Sequence, residues 1–324
     1  MNASPRRTRW LIGISTLVLL VAVGATAVIL SANRSASAPN ATPPASLIDA
    51  DTRMGAVELV TSNIEALTDF YGPAGVGLSL LGETDGIRSL GVDGEEIIRL
   101  VPADADPAGP GDAGLYHSAI LFPDSPALAG SLARLAGQYP GLYQGSADHA
   151  VSHAFYFADP DGNGVELYVD TPRDQWVWED GQVQMGSAPL DVNAFIGEHL
   201  GDEASGDATM GHVHLKVGDL ERAEEFYADS LGFAVTARAN GAIFLAAGGY
   251  HHHVAANTWG SAGAGVRPAT LGLGSLELVV PEASELDAIG TRLTEAGVTF
   301  ERTDAVLTVA DPWGTVVEVV AAGN

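Results

Sequence analysis

The sequence predicts an α+β protein of four βαβββ units that pair to form two clefts, preceded by an N-terminal transmembrane helix or signal anchor. Two observations predict this class. Motifs of the first half of the chain return in the second half, and each half itself divides into two similar stretches. Hydrophobic residues make up 46% of the 324 residues, which is enough to bury sizeable cores and to exclude general disorder.

Three motifs repeat between the halves, and each returns in the same order. The repeated pairs are GAVEL at 55–59 with GHVHL at 211–215, GLYHS at 114–118 with GLGSL at 272–276, and DPDGNGVE at 159–166 with DPWGTVVE at 311–318. The repeats predict a first domain at residues 51–169 and a second at 209–324, each with two units. Residues 170–208 are predicted to be the linker between them.

Each unit begins with an alternating strand and continues into an amphipathic helix. In the third unit, the strand at 212–217 precedes apolar residues at helical spacing, and Asp219 is the predicted helix cap. Short strands separated by Gly, Asn and Asp turns complete the unit. A unit of this size cannot cover its own sheet, so two units must pair and leave a ligand cleft between them.

The first 50 residues are predicted to be an anchor and a tether. An uncharged apolar run at 10–32 follows a group of arginines and is long enough to cross a bilayer core of about 30 Å. Because the arginines precede the run, the body of the protein is predicted to lie outside the cytoplasm. Residues 33–50 are rich in Ala, Ser and Pro and predict a flexible tether. Small residues at 35–38 leave open whether the anchor is cleaved.

Charge and cysteine content exclude several classes of function. The chain has 41 acidic and 15 basic residues, and its net charge of -26 repels phosphate backbones, so no nucleic-acid partner is expected. It has no cysteine, which excludes disulfide frameworks, zinc–thiolate sites and cysteine nucleophiles. The sequence leaves the oligomeric state open, a homo-oligomer included.

Several stretches of residues 51–322 resemble the vicinal oxygen chelate superfamily of glyoxalase I, bleomycin-resistance proteins and extradiol dioxygenases. The DPDGNG turn at 159–164 is common to that superfamily, whereas GGYHHH at 248–253 followed by NTW at 257–259 resembles its catechol 2,3-dioxygenase branch. Further resembling stretches are GLYH at 114–117, DHAVS at 148–152, DTPR at 170–173 and GHVHL at 211–215. The resemblance implies Fe(II), with Mn, Zn or Ni as alternatives, and a small aromatic substrate with dioxygen.

The resemblance also implies that metal ligands come from the first and last strands of paired units. The second unit offers His117 and Glu166 at these positions, and the third offers His212 and His253. If units two and three pair, the ligands are His117, Glu166 and His212, and His253 is adjacent. If units three and four pair, they are His212, His253 and Glu318. We favour the first set because it keeps every candidate position, and two imidazoles with one carboxylate suit Fe(II).

Three more residues are candidates for proton transfer near the substrate, namely His149, Tyr250 and His251. Each has a structural alternative, since Tyr250 could wall the pocket and His149 could cap a turn. Strand alternation through the histidine run places His251 and His253 on one face and His252 on the other. His252 is therefore predicted to be structural.

The leading functional hypothesis is metal-dependent extradiol cleavage of a catechol-type ring with dioxygen. The first alternative is a glyoxalase-like metalloenzyme without oxygen chemistry, which would prefer two histidines and two glutamates. The second is a non-catalytic module of the same fold that binds a small aromatic ligand. Oxygen uptake separates the first hypothesis from the other two.

The predicted export of the body can be tested by proteolysis of intact cells. We expect added protease to digest residues 51–322, because an anchor at 10–32 would hold them outside the cytoplasm. The measurement is an immunoblot of the body beside one external and one cytoplasmic marker protein. Full protection of the body while the external marker is cleaved would contradict the prediction.

Overall fold

The computed structural model describes residues 42–202 and 206–322. The predicted anchor at 10–32 and the tether residues before 42 lie outside the described residues. In the part of the chain that is described, no helix is both long and apolar enough to span a membrane.

The last nine residues of the predicted tether, 42–50, pack against the protein instead of hanging free. The backbone N–H groups of Leu47 and Ile48 donate to the carbonyl of Gly232 at 2.7 and 2.9 Å. The side chain of Ile48 is buried in the core. The prediction of a tether through residue 50 missed this contact because one buried isoleucine in a polar stretch gives no periodic signal.

The first half of the chain holds two units, each with one strand, one helix and three further strands. Unit one comprises β1 (Arg53–Thr61), α1 (Ile64–Tyr71), β2 (Ser79–Thr84), β3 (Ile87–Val92) and β4 (Glu95–Pro102). Unit two comprises β5 (Gly114–Leu121), α2 (Ser125–Gln138), β6 (Tyr143–Asp148), β7 (Ser152–Ala158) and β8 (Gly164–Asp170). A connecting segment follows, with a 3₁₀ turn (Arg173–Gln175), β9 (Trp178–Glu179), β10 (Gln182–Val183), β11 (Ala188–Pro189) and α3 (Val192–His199).

The second half repeats this order. Unit three comprises β12 (Thr209–Lys216), α4 (Leu220–Glu224), a π-helical stretch (Glu225–Ser230), β13 (Ala234–Ala239), β14 (Ala242–Ala246) and β15 (Val254–Asn257). Unit four comprises β16 (Gly272–Val280), α5 (Ala283–Glu295), β17 (Phe300–Arg302), β18 (Val306–Ala310) and β19 (Val316–Ala321). Asp219 caps α4 as predicted, since its side chain accepts a hydrogen bond from the backbone N–H of Arg222 at 2.9 Å.

The predicted α+β class is confirmed, and the strands form two large sheets. One has eight strands in the order β17-β18-β19-β16-β1-β4-β3-β2, and the other has nine in the order β11-β6-β7-β8-β5-β12-β15-β14-β13. Each large sheet therefore takes one unit from each half of the chain. Units four and one meet through β16 and β1, and units two and three meet through β5 and β12, both pairs antiparallel.

Alternation along the strands divides each sheet into a core face and an open face. On β12, Val213 and Leu215 belong to the main hydrophobic core, which also takes residues from the helices and from the other sheet. His212 and His214 alternate with them and so point to the opposite face. The main core thus fixes which side chains of the nine-stranded sheet face away from it.

In each half of the chain, one buried tyrosine–aspartate hydrogen bond joins the two units. The hydroxyl of Tyr71 in unit one donates to Asp159 of unit two at 3.1 Å, and Tyr227 of unit three donates to Asp311 of unit four at 3.0 Å. Each aspartate also accepts two backbone N–H groups of its own turn. Burial raises the pKa of both carboxyl groups, so each depends on these donors.

Removal of one of these tyrosine hydroxyls should destabilise the fold. We expect Tyr71→Phe or Tyr227→Phe to lower the free energy of unfolding by about 1–3 kcal/mol, because a buried carboxyl group loses one partner. The measurement is urea unfolding followed by circular dichroism. Tyr143→Phe is the control, since its hydroxyl contacts Ser146 at the surface, and a change below about 0.5 kcal/mol is expected there. Equal effects in all three variants would contradict the prediction.

Candidate metal centre

Three candidate ligands meet at the centre of the nine-stranded sheet, on the face that points away from the main core. His117 lies on β5, Glu166 on β8 and His212 on β12, which are neighbouring strands. Gly211 makes room for this arrangement, because a Cβ atom there would collide with the hydroxyl of Tyr168 on β8. We refer to His117, Glu166 and His212 as the metal triad.

The metal triad is buried and compact. Nε2 of His117 and Nε2 of His212 lie 3.1 and 3.4 Å from the same carboxylate oxygen of Glu166, Oε2. One ligand atom from each residue lies within 4.8 Å of the others. Neither Nε2 atom forms an aligned hydrogen bond with any described residue. Buried polar atoms without partners are costly, and a cation between these three ligands would satisfy them, so the residues fit a divalent metal.

The surroundings set the charge of the triad. Burial alone would raise the pKa of Glu166, but the imidazoles of His212 and His117 outweigh it and hold this pKa well below its usual range. Burial lowers the pKa of His212 to about 4, against the attraction of Glu166. At neutral pH the carboxylate is therefore ionised and the His212 ring is neutral, which are the forms that bind a metal.

The fourth position around the site carries no ligand. Antiparallel pairing of β5 with β12 relates the two strands by a local two-fold axis that exchanges His117 with His212. The same axis relates Glu166 on β8 to Ala255 on β15. Glu166 pairs in parallel with Ala119 of β5, and Ala255 pairs in parallel with His214, which is the equivalent residue of β12. A methyl group cannot bind a metal. The triad therefore leaves coordination positions open.

A cleft of about 880 Å³ opens above the triad. His117 and Glu166 line it, and its walls are largely apolar or aromatic, with Tyr116, Val151, Val183, Met185, Phe244 and Trp259 among the lining residues. The ring of Trp259 lies 5.6 Å from the rings of both Tyr116 and His214. The cleft thus offers flat aromatic surfaces next to the candidate metal ligands.

Residues 182–187 of the connecting segment cross one side of the cleft, and we call them the strap. The side-chain oxygen of Gln182 accepts a hydrogen bond from the backbone N–H of Arg238 at 3.1 Å. The carbonyl of Gly186 lies 2.6 Å from Nδ1 of His149. The strap is therefore tied both to unit two and to unit three.

The histidine run brings His252, and not His253, next to the triad. The ring centroid of His252 lies 4.1 Å from that of His212, and His252 lines the cleft. Nδ1 of His253 instead accepts a hydrogen bond from the backbone N–H of Ala247 at 3.2 Å. The placement of His253 beside the metal ligands, expected from the sequence, is corrected by this contact.

The reason is that the histidine run is a turn and not a strand. β15 begins only at Val254, so strand alternation does not apply to residues 251–253. The turn is entered through Gly248 and Gly249, which both have positive φ angles of 61° and 68°. A Cβ atom on Gly248 would also collide with the carbonyl of Ala50.

The candidates for proton transfer fall in two places. His149 lines the cleft, and its Nε2 lies 2.7 Å from the hydroxyl of Tyr156. Tyr250 and His251 are buried behind the cleft wall and do not line it. The sequence-based expectation that they reach substrate directly is therefore corrected, because the turn directs both side chains toward Asp170 instead.

The rival ligand set is not brought together. Glu318 lies on β19 of the eight-stranded sheet, where it pairs with Glu277 on β16. In that sheet, Ala56 and Ser275 occupy the positions that correspond to His212 and His117. Glu318 therefore shares no cleft with His212, and units three and four do not form the candidate centre.

Sequence reasoning missed Tyr156 and Asp170 and misread His252. Tyr156 could have been found, because it pairs directly opposite Glu166 across the hairpin that the DPDGNG turn closes. Burial, followed by the nearby Glu166 carboxylate, raises the pKa of the Tyr156 hydroxyl. Asp170 lies in the DTPR stretch, but its partners are 80 residues or more away in the sequence, and no local pattern predicts them.

These features define a class of α+β protein with paired βαβββ units and a buried His/Glu/His group at a unit junction. Residues 209–319 match the family model of the Glyoxalase/Bleomycin resistance protein/Dioxygenase superfamily. Over 276 residues the chain is 37% identical to catechol-2,3-dioxygenase of Bacillus subtilis (strain 168), which covers 82% of this chain and 95% of that protein. The chain belongs to this superfamily.

The chain is also similar to a second dioxygenase in sequence and to a solved structure in fold. Over 150 residues the chain is 30% identical to biphenyl-2,3-diol 1,2-dioxygenase 2 of Rhodococcus globerulus, covering 42% of this chain and 74% of that protein. The fold is similar to the crystal structure of glyoxalase I from Zea mays, with a TM-score of 0.54 and 16% identity over 84% of this chain and 92% of that one.

Removal of a triad ligand should abolish metal binding. We expect His212→Ala to weaken binding of Fe(II) by more than about 100-fold, since loss of an outer partner alone costs 10–100-fold. Glu318→Ala is the matched control, because it removes the corresponding strand glutamate in the other sheet and should leave binding unchanged. The measurement is metal bound per chain after anaerobic loading and desalting. A folded Glu318→Ala protein without metal would contradict the assignment.

Proposed function

We propose that the chain is a metal-dependent extradiol dioxygenase, which opens a catechol-type ring with dioxygen. The observation that carries the proposal is the buried metal triad at the floor of an aromatic cleft. The relatives named catechol-2,3-dioxygenase and biphenyl-2,3-diol 1,2-dioxygenase support it.

His117, Glu166 and His212 would hold the metal, and two imidazoles with one carboxylate and open positions favour Fe(II). Bound there, such a metal supplies Lewis acidity toward a vicinal diol and electron transfer toward dioxygen. Ala255 at the fourth position argues against the glyoxalase-like alternative, which would prefer a second carboxylate. It also keeps that side of the site open.

The cleft walls would bind and orient the ring. Tyr116, Phe244 and Trp259 offer flat surfaces on which an aromatic substrate can stack. Together with the strap they restrict access of water to the triad. Because burial raises the pKa of Tyr156, its hydroxyl stays protonated and can donate to Nε2 of His149, 2.7 Å away.

Ring cleavage requires that the diol hydroxyl groups give up protons and that oxygen atoms of the opened product gain protons, and two imidazoles in the cleft can carry them. His252 lies against His212 and is therefore close to where the diol oxygens would lie. His149 is held between the hydroxyl of Tyr156 and the carbonyl of Gly186. His149 is therefore placed to exchange protons with the part of the substrate that lies farther from the metal triad.

The proposal is tested by oxygen uptake on substituted catechols. Supplied with Fe(II) in air, the protein should consume oxygen and form a yellow ring-opened product. The His212→Ala protein should lose at least about 1,000-fold in rate, because it lacks a metal ligand, and it also corrects for autoxidation of catechol. The Glu318→Ala protein should retain the activity of the wild type.

Equal oxygen uptake by wild type and His212→Ala, over a range of catechols, would contradict the proposal. Tight binding of aromatic diols without turnover would then support the non-catalytic module. Metal-dependent consumption of a thiol adduct without oxygen uptake would support the glyoxalase-like enzyme.

A further inference from the structure

A line of hydrogen-bonded side chains runs from Asp170 to the cleft. Oδ1 of Asp170 lies 3.0 Å from Nε2 of His251, and Nδ1 of His251 lies 2.8 Å from Nδ1 of His252. Asp170 stays partly exposed, with 21% of its side chain accessible, whereas the side chain of His251 is buried. At the inner end, His252 lines the cleft and contacts the ring of His212.

The order of donors and acceptors along this line follows from the chemistry of its ends. A carboxylate only accepts hydrogen bonds, so Nε2 of His251 carries a proton and donates it to Asp170. A neutral imidazole has a single N–H group, and Nδ1 of His251 must then accept. His252 is therefore the donor through Nδ1, and its Nε2 keeps a free lone pair. This order is the one in which each of the two rings carries a single N–H group.

We propose that Asp170 and His251 are positioning residues that hold His252 in the Nδ1–H tautomer, which leaves the lone pair of its Nε2 free. The tautomer of a histidine is set by the hydrogen bond that its other nitrogen makes. The line acts on the substrate only through His252. Its effect on turnover rests on the proposed function, whereas the tautomer itself does not.

The neighbours of Asp170 hold the line in place. The hydroxyl of Tyr250 donates to the same Oδ1 atom at 3.3 Å, and the hydroxyl of Tyr168 lies 2.8 Å from that of Tyr250. The guanidinium of Arg173 lies over the ring of Tyr250, 5.1 Å from its centroid, and over the ring of Trp176. These contacts tie the end of β8 to the histidine turn of unit three, so the two sides of the line cannot shift independently.

The tautomer is read directly by nitrogen NMR. We expect the full chain, labelled with ¹⁵N-histidine and loaded with diamagnetic Zn(II), to show His252 with its proton on Nδ1 and His251 with its proton on Nε2. The His252 signals are assigned by their loss in His252→Asn. A wild-type spectrum with the His252 proton on Nε2 would overturn the proposal, because His251 would then be the donor.

Variants at Asp170 test the cause. Asp170→Leu has a similar size but cannot accept, so the Nδ1–H preference of His252 should be lost, and kcat should fall about 10–100-fold with little change in KM or bound metal. Asp170→Asn keeps an acceptor oxygen, so it should recover most of the Nδ1–H preference of His252 and most of the kcat. Asp174→Leu, at an exposed position on the same segment, is the control for loss of a negative charge.

The outcomes separate this proposal from the proposed function. An unchanged His252 tautomer in Asp170→Leu would overturn the positioning role, even if the enzyme cleaves catechols. If Asp170→Leu does not fold, the spectra of wild type and Asp170→Asn decide. A wild type that shows the Nδ1–H tautomer but no oxygen uptake would support the positioning role and contradict the proposed function.

Discussion

The antiparallel pairing of β5 with β12 is the interaction on which the rest of the structure depends. It joins one unit from each half of the chain into one sheet and places His212 opposite Ala119 and His214 opposite His117. A slip of one residue would turn the histidines into the main core and expose Val213 and Leu215. The hydrophobic faces of the two strands therefore fix the register that assembles the metal triad.

Without a bound metal, the metal triad lowers the stability of the folded state. It places two imidazoles and a carboxylate in a buried position, where three ring nitrogens, Nε2 of His117 and both nitrogens of His212, lack aligned partners among the described residues. A metal that binds only the folded state would return stability in proportion to its affinity and concentration. Elsewhere, the tyrosine–aspartate bonds between units and the shared core supply the rigidity that holds the triad in place.

Local sequence patterns predicted the elements of the fold but could not settle how the units pair. Each strand–helix–strand unit follows from residue alternation and turn chemistry, and the repeats of GAVEL and DPDGNG show where the units recur. The choice between Glu166 and Glu318 depended on which unit faces which, and the long connecting segment allowed either pairing. His253 was misplaced for a different reason, because two glycines turn the chain before β15 begins. Asp170 escaped prediction because its partners come from the other half of the chain.

Anomalous diffraction from crystals of the metal-loaded protein tests the central claim most directly. The account predicts one strong peak per chain at the junction of β5 and β12, with Nε2 of His117, Oε2 of Glu166 and Nε2 of His212 each about 2.0–2.2 Å from it. A peak beside Glu318 in the eight-stranded sheet would contradict the account. So would a fully loaded protein whose metal lies away from the triad.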